Sequence, residues 1–343
     1  MSQKAVNWNL AKVWNRVAMK DNFDIKPRDY VYASEIGMPF YDRWHKMKGT
    51  QYTNPPNDRS LRKFLAGNLW EDVVRQVLIA CGILKHEEVK IDGNPYPDTL
   101  AVHGRCDFIA GGYIDKDEAI HKLKEFSFNE NLLKIGLGII EEIGGSTLAK
   151  KIIELKAVST FAMDKVERMG AAIPNHGMQG THYAKCGDIP TDVAYVCKDD
   201  CRLAQFPIIL EVMEPLYRED LLQMTEYYKK KKPPPLAPLA SFDFTLGKFS
   251  KNLGVEYSPY LSHYGFETPD HYRQSVAFVE KWNRALTRFA LAETGGKTPT
   301  GKPIAVTPKN NEVKAEIIKA GYKFEDLLKC KIELGATDEE EEE

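Results

Sequence analysis

The sequence predicts an α/β fold, a central mixed β-sheet flanked by helices. Stretches with apolar residues at helical spacing alternate with short apolar runs of strand length, those runs are bounded by Gly, Asn and Pro, and no repeat of roughly 20 to 50 residues points to a solenoid or propeller. With 343 residues, 43% hydrophobic and 28% charged, the chain can bury a core as one large or two smaller domains. The same composition excludes collagen-like, disulfide-scaffold and wholly disordered classes.

The elements follow in order. Residues 60–82 carry Leu61, Phe64, Leu65, Leu69, Val73, Val77 and Leu78, which read as a helical stripe closed by Gly82. Glu87–Asp92 and Leu100–Ala110 are β-rich runs and read as neighbouring strands. Residues 115–150 read as an inserted helical segment, and KIIELKAV (151–158) is a compact apolar strand. Helical spacing resumes over 175–186, TDVAYVC is the next strand, and Pro207–Lys232 the next long helix. That helix ends in Lys229–Lys232 followed by Pro233, Pro234 and Pro235, where proline forbids continuation and favours an extended connector. Residues 267–292 read as a further helix with a basic and aromatic surface, GGKTPTGKP as a linker before a short helical pair, and the tail after Gly335 as disordered.

Charge narrows the class of partner only slightly. The 47 Lys and Arg against 49 Asp and Glu give a net charge of -2, and removing the six consecutive acidic residues Asp338–Glu343 leaves +4. That excess is too mild to announce nucleic acid by itself. Cysteines at 81, 106, 186, 197, 201 and 330 form no dense framework, which favours reduced thiols. No apolar run reaches the roughly 18 residues a bilayer requires, and the first residues lack the apolar core of a signal peptide, so the expectation is a cytoplasmic protein with no membrane partner.

Four short patterns carry candidate chemistry: Gly67 with Glu71 on the first long helix, Gly104-Arg105-Cys106-Asp107 on a strand, Glu154-Leu155-Lys156 on the next strand, and Gln179 with Tyr183 on a helix. Glu154 and Lys156 stand two residues apart, so on a strand both point to one face. Two charges inside an apolar run are costly unless they serve each other or a ligand. Asp107 is the single carboxylate in VHGRCDFIA, and beside Glu154 it would complete an oxygen-rich site of the kind Mg²⁺ takes. Each pattern alone also fits a bland reading: a solvated ion pair on an edge strand, a strand-end aspartate, an exposed helix face.

In this order the patterns resemble the PD-(D/E)XK nuclease superfamily, and within it the RecB-type branch that includes the CRISPR-associated exonucleases. The resemblance spans about residues 30–290. It implies a restriction-endonuclease-like core with a helical insertion and a C-terminal helical part. Residue by residue, it implies Asp107, Glu154, the backbone carbonyl of Leu155 and Glu71 as metal site, Lys156 as catalytic lysine beside Asp107 and Glu154, and Gln179 and Tyr183 as DNA-positioning residues. The cofactor it implies is Mg²⁺, with Mn²⁺ able to substitute.

The flanks extend the likeness with substitutions. Tyr32–Gly49 is similar to the family's opening segment, with Met38 at its cysteine position. Val255–Gly265 is similar to its closing segment, with Val255, Ser258 and Tyr264 at the other three. Thiolates hold such clusters, so no iron–sulfur cluster is expected and packing must pin these segments instead. Trp70 precedes Glu71 where the branch often has a histidine, and the 46 residues between Asp107 and Glu154 exceed the usual hairpin. The implied domains are a helical extension over 1–29, a nuclease domain over 30–290 with an insertion at 115–150 and a Lys/Pro hinge at 229–240, and a tail over 291–343.

The function expected is a metal-dependent DNA nuclease, an exonuclease first, with a phage-type role in DNA recombination or repair and a recombination or replication protein as partner. The alternatives are an endonuclease using the same site and a non-catalytic DNA-binding accessory protein. His176, His182, Cys186, Cys197 and Cys201 share one stretch, but their spacing fits no common zinc arrangement. GLGIIEEIGG lacks the Lys-Ser/Thr of a phosphate loop, no G-x-S-x-G elbow occurs, and His103 reads as strand packing. Lys229–Lys232, Tyr227, Tyr228, Trp282, Arg284 and Arg288 are permissive for DNA contact and equally ordinary as solvated helix faces.

Overall fold

The computed structural model describes residues 24–125, 130–237, 240–243, 248–277 and 302–319, with isolated positions between 285 and 292. The expected 1–29 extension therefore lies outside the described residues up to 23, as do Trp282, Arg284, Cys330 and the acidic tail.

The fold is α/β, as the sequence predicts. Strand β1 (Tyr30–Tyr32) leads through a single 3-10 turn to α1 (Phe40–Met47) and the long α2 (Asp58–Ala80), and β2 (Leu84–Lys90), β3 (Ala101–His103) and β4 (Arg105–Tyr113) follow. Helices α3 (Lys116–Glu125) and α4 (Glu130–Ile143) precede the twelve-residue β5 (Thr147–Val158). Then come α5 (Thr160–Met169), α6 (Pro174–Gly187), β6 (Thr191–Cys197), β7 (Leu203–Pro207) and α7 (Leu210–Lys230). The central sheet has five strands in the order β2-β4-β5-β6-β7. Only β5 and β6 run parallel; the other neighbours are antiparallel. β1 and β3 form a separate parallel pair.

Helix α2 begins where the Asn57 side chain accepts the Ser60 amide, and it stops at Cys81 and Gly82, whose φ is 69°. Its buried face matches the expected stripe only in part: Leu61 and Leu78 of that stripe are buried. Trp70, Val74 and Leu78, four residues apart, pack on Phe108, Ala110, Leu155 and Val196 of the sheet. Phe64, Leu69, Val73 and Val77 are about half exposed. Two apolar rows run along this helix, and the sheet takes the one containing the tryptophan, which offers the larger area to bury.

Three further boundaries differ from the sequence reading. β5 starts at Thr147, so Thr147–Lys150 are strand rather than the end of the helical segment; Thr147 pairs with Tyr113 and Leu148 with Gly112. A bulge sits opposite, where Gly111 has a φ of 96° and a Cβ would meet the Ala149 carbonyl oxygen at 2.2 Å. The Leu100–Ala110 run is two strands broken at Gly104. β7 has no counterpart in the sequence reading, and it pushes the start of α7 back to Leu210.

Arg43 is buried and makes a two-point ion pair with Asp220 of α7, 2.7 and 2.8 Å long, which ties α1 to that helix. The chain divides into two compact units between Pro233 and Pro234; Pro39–Asp42 and Tyr52–Pro55 belong to the second unit. In that unit Val255, Ser258 and Tyr264 are buried, and the hydroxyls of Ser258 and Tyr264 both donate to Asp42 Oδ1, at 2.9 and 3.3 Å. A hydrogen-bonded carboxylate thus gathers the segment in which the resembled family places thiolates. β8 (Ala240–Asp243) and β9 (Lys248–Lys251) pair antiparallel, and α8 (Leu253–Glu256), a 3-10 helix (Leu261–Tyr264), α9 (Pro269–Ser275) and α10 (Pro308–Lys319) follow.

Candidate active site

Four elements of the first unit converge on one cluster. β4 and β5 pair antiparallel through Phe108 and Ile153, which sets the preceding Asp107 beside Glu154. At that point a side chain replaces the main-chain ladder: Asp107 Oδ2 accepts the Leu155 amide at 2.6 Å. Glu71 reaches the same place from α2 and shares a hydrogen bond with the Asp107 carboxyl. Helical spacing explains this, because Glu71 stands three residues before Val74 and seven before Leu78, both of which pack on the sheet.

Glu154 is only 3% exposed. Its Oε1 accepts from Lys156 Nζ at 2.6 Å and from the Gln179 amide at 2.7 Å. Its Oε2 is buried and has no hydrogen-bond partner. From α6, Gln179 also donates to the Tyr183 hydroxyl at 2.9 Å, and that hydroxyl donates to the Arg105 carbonyl at 3.0 Å. Gln179 and Tyr183 stand one helical turn apart, so one helix face holds the strand glutamate and the end of β4 together. Lys156 keeps 22% of its side chain exposed.

The electrostatics are those of crowded, desolvated carboxylates. Burial, the nearby charge of Glu154 and the hydrogen bond to Glu71 raise Asp107 well above the ordinary aspartate value. Burial also raises Glu154, outweighing the Lys156 ammonium that opposes it. Cys106, the residue before Asp107 on β4, is pushed up to about 11 by burial and by the charge of Glu154, so it is a thiol and no thiolate nucleophile. Burial holds the Tyr183 phenol protonated as a donor.

The structure brings Glu71, Asp107, Glu154, Leu155, Lys156, Gln179 and Tyr183 into one connected network. Gly67 faces open space: a Cβ there would meet nothing within 4 Å, so no element of the sheet approaches α2 at that point. Among the described residues no three His, Cys, Asp or Glu side chains gather closely enough to hold an ion alone. Of the zinc candidates only His182 and Cys186 are in contact, Nδ1 to Sγ at 3.6 Å, and no third joins them among the described residues. His182 is a satisfied core histidine, 2.7 Å from the Ile91 carbonyl and 2.9 Å from the Tyr217 hydroxyl, Cys197 is buried and Cys201 exposed. The basic run has ordinary neighbours: Lys229 donates to the Asp98 carbonyl, and Tyr228 lies under Lys48.

Sequence reasoning missed the neighbours of this network. Tyr30 and Tyr32 of β1 and His103 of β3 line a pocket of about 480 Å³ whose wall includes Gln179 and Tyr183. His103, expected as strand packing, is 41% exposed and lies against the Tyr30 ring. No spacing signal could find them, because a three-residue strand has too few positions for a pattern.

No family model matches the chain, and no curated protein matches it. Among solved structures it is similar to SSO0001 at 12% identity, over 66% of this chain and 86% of that one, with a TM-score of 0.37. It is also similar to an alkaline exonuclease, LHK-Exo, from Laribacter hongkongensis at 13% identity, over 64% of this chain and 97% of that one, with a TM-score of 0.31. LHK-Exo in complex with dAMP aligns at 15% identity over the same shares, with a TM-score of 0.35. Likeness at this level assigns no residue a role. Among the described residues no helix is long and apolar enough to cross a membrane.

Proposed function

We propose that the chain is a metal-dependent DNA nuclease with a PD-(D/E)XK site, exonucleolytic before endonucleolytic. The observation that carries this reading is the unequal use of the two Glu154 oxygens. Oε1 is saturated by Lys156 and Gln179, which fix the carboxylate's rotamer, while Oε2 is buried with no partner. A buried anionic oxygen without a donor is expensive, and the cost is removed by a cation.

The surroundings fit a divalent ion. The available donors are hard oxygens, Asp107 and Glu154 first, the Leu155 carbonyl next, and Glu71 acting through its bond to Asp107. Mg²⁺ is held by one or two carboxylates together with water and substrate phosphate rather than by an all-protein cage, so two carboxylates are enough. Bound there, Mg²⁺ or Mn²⁺ supplies polarisation of a phosphate oxygen and acidification of a water molecule. The chain's own residues do the rest. Lys156 presents an ammonium at the edge of the cluster, where it orients the attacking water and offsets charge developing on the phosphate. Gln179 keeps Glu154 from turning, and Tyr183 holds Gln179. A role in DNA recombination or repair goes with this reading.

The test is incubation with end-labelled single- and double-stranded DNA, with Mg²⁺ or with chelator, using the native chain and Lys156→Ala. Cleavage that needs both metal and lysine supports the proposal. A ladder shortened from the ends means exonuclease, nicking of covalently closed circles means endonuclease, and DNA binding without any cleavage means the accessory reading.

A further inference from the structure

We infer that the pocket walled by Tyr30, Tyr32 and His103 is a stacking subsite for an unpaired base of the DNA strand that reaches Glu154. The inference rests on the nuclease reading for its ligand, and it adds a substrate class: single strands and frayed ends rather than closed duplex.

The strand pairing builds an aromatic wall. Tyr30 and Tyr32 alternate with the buried Val31, so both face the same way, and β1 runs parallel to β3 with Tyr32 in register with His103. The ring centroids of Tyr30 and His103 are 4.1 Å apart at 32°. Those of Tyr30 and Tyr32 are 5.3 Å apart, edge to face, with the two hydroxyls 3.1 Å apart. The Arg28 guanidinium lies 4.3 Å from the Tyr32 centroid and is itself paired with Glu35, so the wall is braced from behind. Yet Tyr32 remains 42% exposed. A braced aromatic surface left open to solvent is a poor use of core residues and a good platform for a base, since every base offers a π-face.

The volume and charge suit a nucleotide. About 480 Å³ lies within the range of small-molecule sites. Lys90 and Arg105 stand exposed at the pocket. Lys90 makes no ion pair among the described residues, and Arg105 has one exposed pair, 3.3 Å to Glu88. The acid in the wall, Asp92, is engaged by the Gly104 amide at 3.1 Å and lies 3.5 Å from His103 Nδ1. A phosphate entering between Lys90 and Arg105 therefore meets cations first.

The pocket is joined to the catalytic cluster. Tyr183 belongs to both: its ring lies where a Gly104 side chain would be, 2.6 Å from the built Cβ, and its hydroxyl links Gln179 to the Arg105 carbonyl. A base stacked on the wall thus places its strand next to the residues that hold Glu154. A paired base has no exposed face to offer, which is why the subsite selects unpaired DNA.

The test measures binding in chelator, so no cleavage intervenes. A fluorescent single strand is compared with an abasic strand of equal length and charge. The native chain is expected to bind the normal strand on the order of ten-fold more tightly than the abasic one. Tyr32→Ala and His103→Ala each reduce that preference without changing abasic affinity, and Tyr32→Phe keeps it. A preference absent in the native chain overturns the inference. So does an equal loss on both strands, or full preference in both folded alanine variants. The two readings fail separately: base-dependent binding without Mg²⁺-dependent cleavage sinks the nuclease and leaves the subsite, and cleavage with base-blind binding does the reverse.

Discussion

Lys156 Nζ lies 2.6 Å from Glu154 Oε1, two residues earlier on the same strand, and the Gln179 amide shares that oxygen. One oxygen thus takes two donors, and of the two side chains the lysine is the one that stays partly open to solvent, with 22% of its side chain exposed.

Lys156→Ala should leave the fold and DNA binding intact and lower the cleavage rate by about 10²-fold or more, the scale of losing one positioned charge or proton donor at a reacting centre. End-labelled DNA under single-turnover conditions reads the rate. Undiminished cleavage by the variant removes Lys156 from the mechanism and with it the assignment of the site.

The crowded carboxylates give the metal-free protein a pH signature. Asp107 titrates in the folded chain well above its unfolded value near 3.8, so the folded state holds a proton the unfolded state has released. Its contribution to stability is full below the unfolded value and is lost as pH rises through the folded one. At neutral pH the chain carries that penalty, and a cation that binds only the folded state relieves it. Mg²⁺ should therefore raise the melting temperature more at pH 7.5 than at pH 5. Asp107→Asn, which keeps an oxygen for the Leu155 amide, should abolish the shift. Equal Mg²⁺ effects in native and variant chains would place the ion elsewhere.

His176 carries the opposite sign. Burial, with a contribution from Lys156, lowers it from the ordinary 6.5 to about 3. Its Nδ1 is 3.0 Å from the Tyr195 hydroxyl, which already accepts the Ile173 amide and so has its proton to give. The ring is thus neutral in the fold. Its contribution to stability is present above the unfolded value and is lost as pH falls from 6.5 toward 3. Relative to His176→Asn, the native chain should lose roughly 2 kcal/mol between about pH 7 and about pH 4.5, read from urea unfolding at each pH. Parallel pH curves for the two chains would refute the burial argument.

The legible parts of the fold are those where one physical demand dominates. KIIELKAV and TDVAYVC lie inside the sheet with a strand on either side, so ten of their fifteen positions are apolar and the runs stand out. LAQFP is its edge, with Leu203 71% exposed and Pro207 at the end, and an alternation of five residues does not rise above loop composition. In α2 the apolar rows compete, and only tertiary contact decides that Trp70, Val74 and Leu78 face the sheet. The candidate site was legible because charged residues inside apolar strands need a reason. The aromatic wall beside it depends on β1 meeting β3, a pairing 71 residues apart in register that no local pattern encodes.

Two glycines separate structural from functional demand. A Cβ on Gly104 would lie 2.6 Å from the Tyr183 ring, 3.1 Å from the Ala33 Cβ and 3.2 Å from the His182 ring. Neither ring can yield: Tyr183 is held by Gln179 and the Arg105 carbonyl, His182 by Tyr217 and the Ile91 carbonyl. Gly104→Ala should therefore cost about 1 to 3 kcal/mol by overpacking and should also lower cleavage well below the unfolding transition, because Tyr183 aligns Gln179 and Gln179 aligns Glu154. Gly67 lies inside α2 with open space around it, so Gly67→Ala should stabilise the chain by roughly 0.5 to 1 kcal/mol, the helix-propensity difference. If that open space is where a DNA backbone passes, the stabilised variant will bind DNA more weakly. Unchanged affinity together with higher stability would show that the glycine serves neither packing nor substrate.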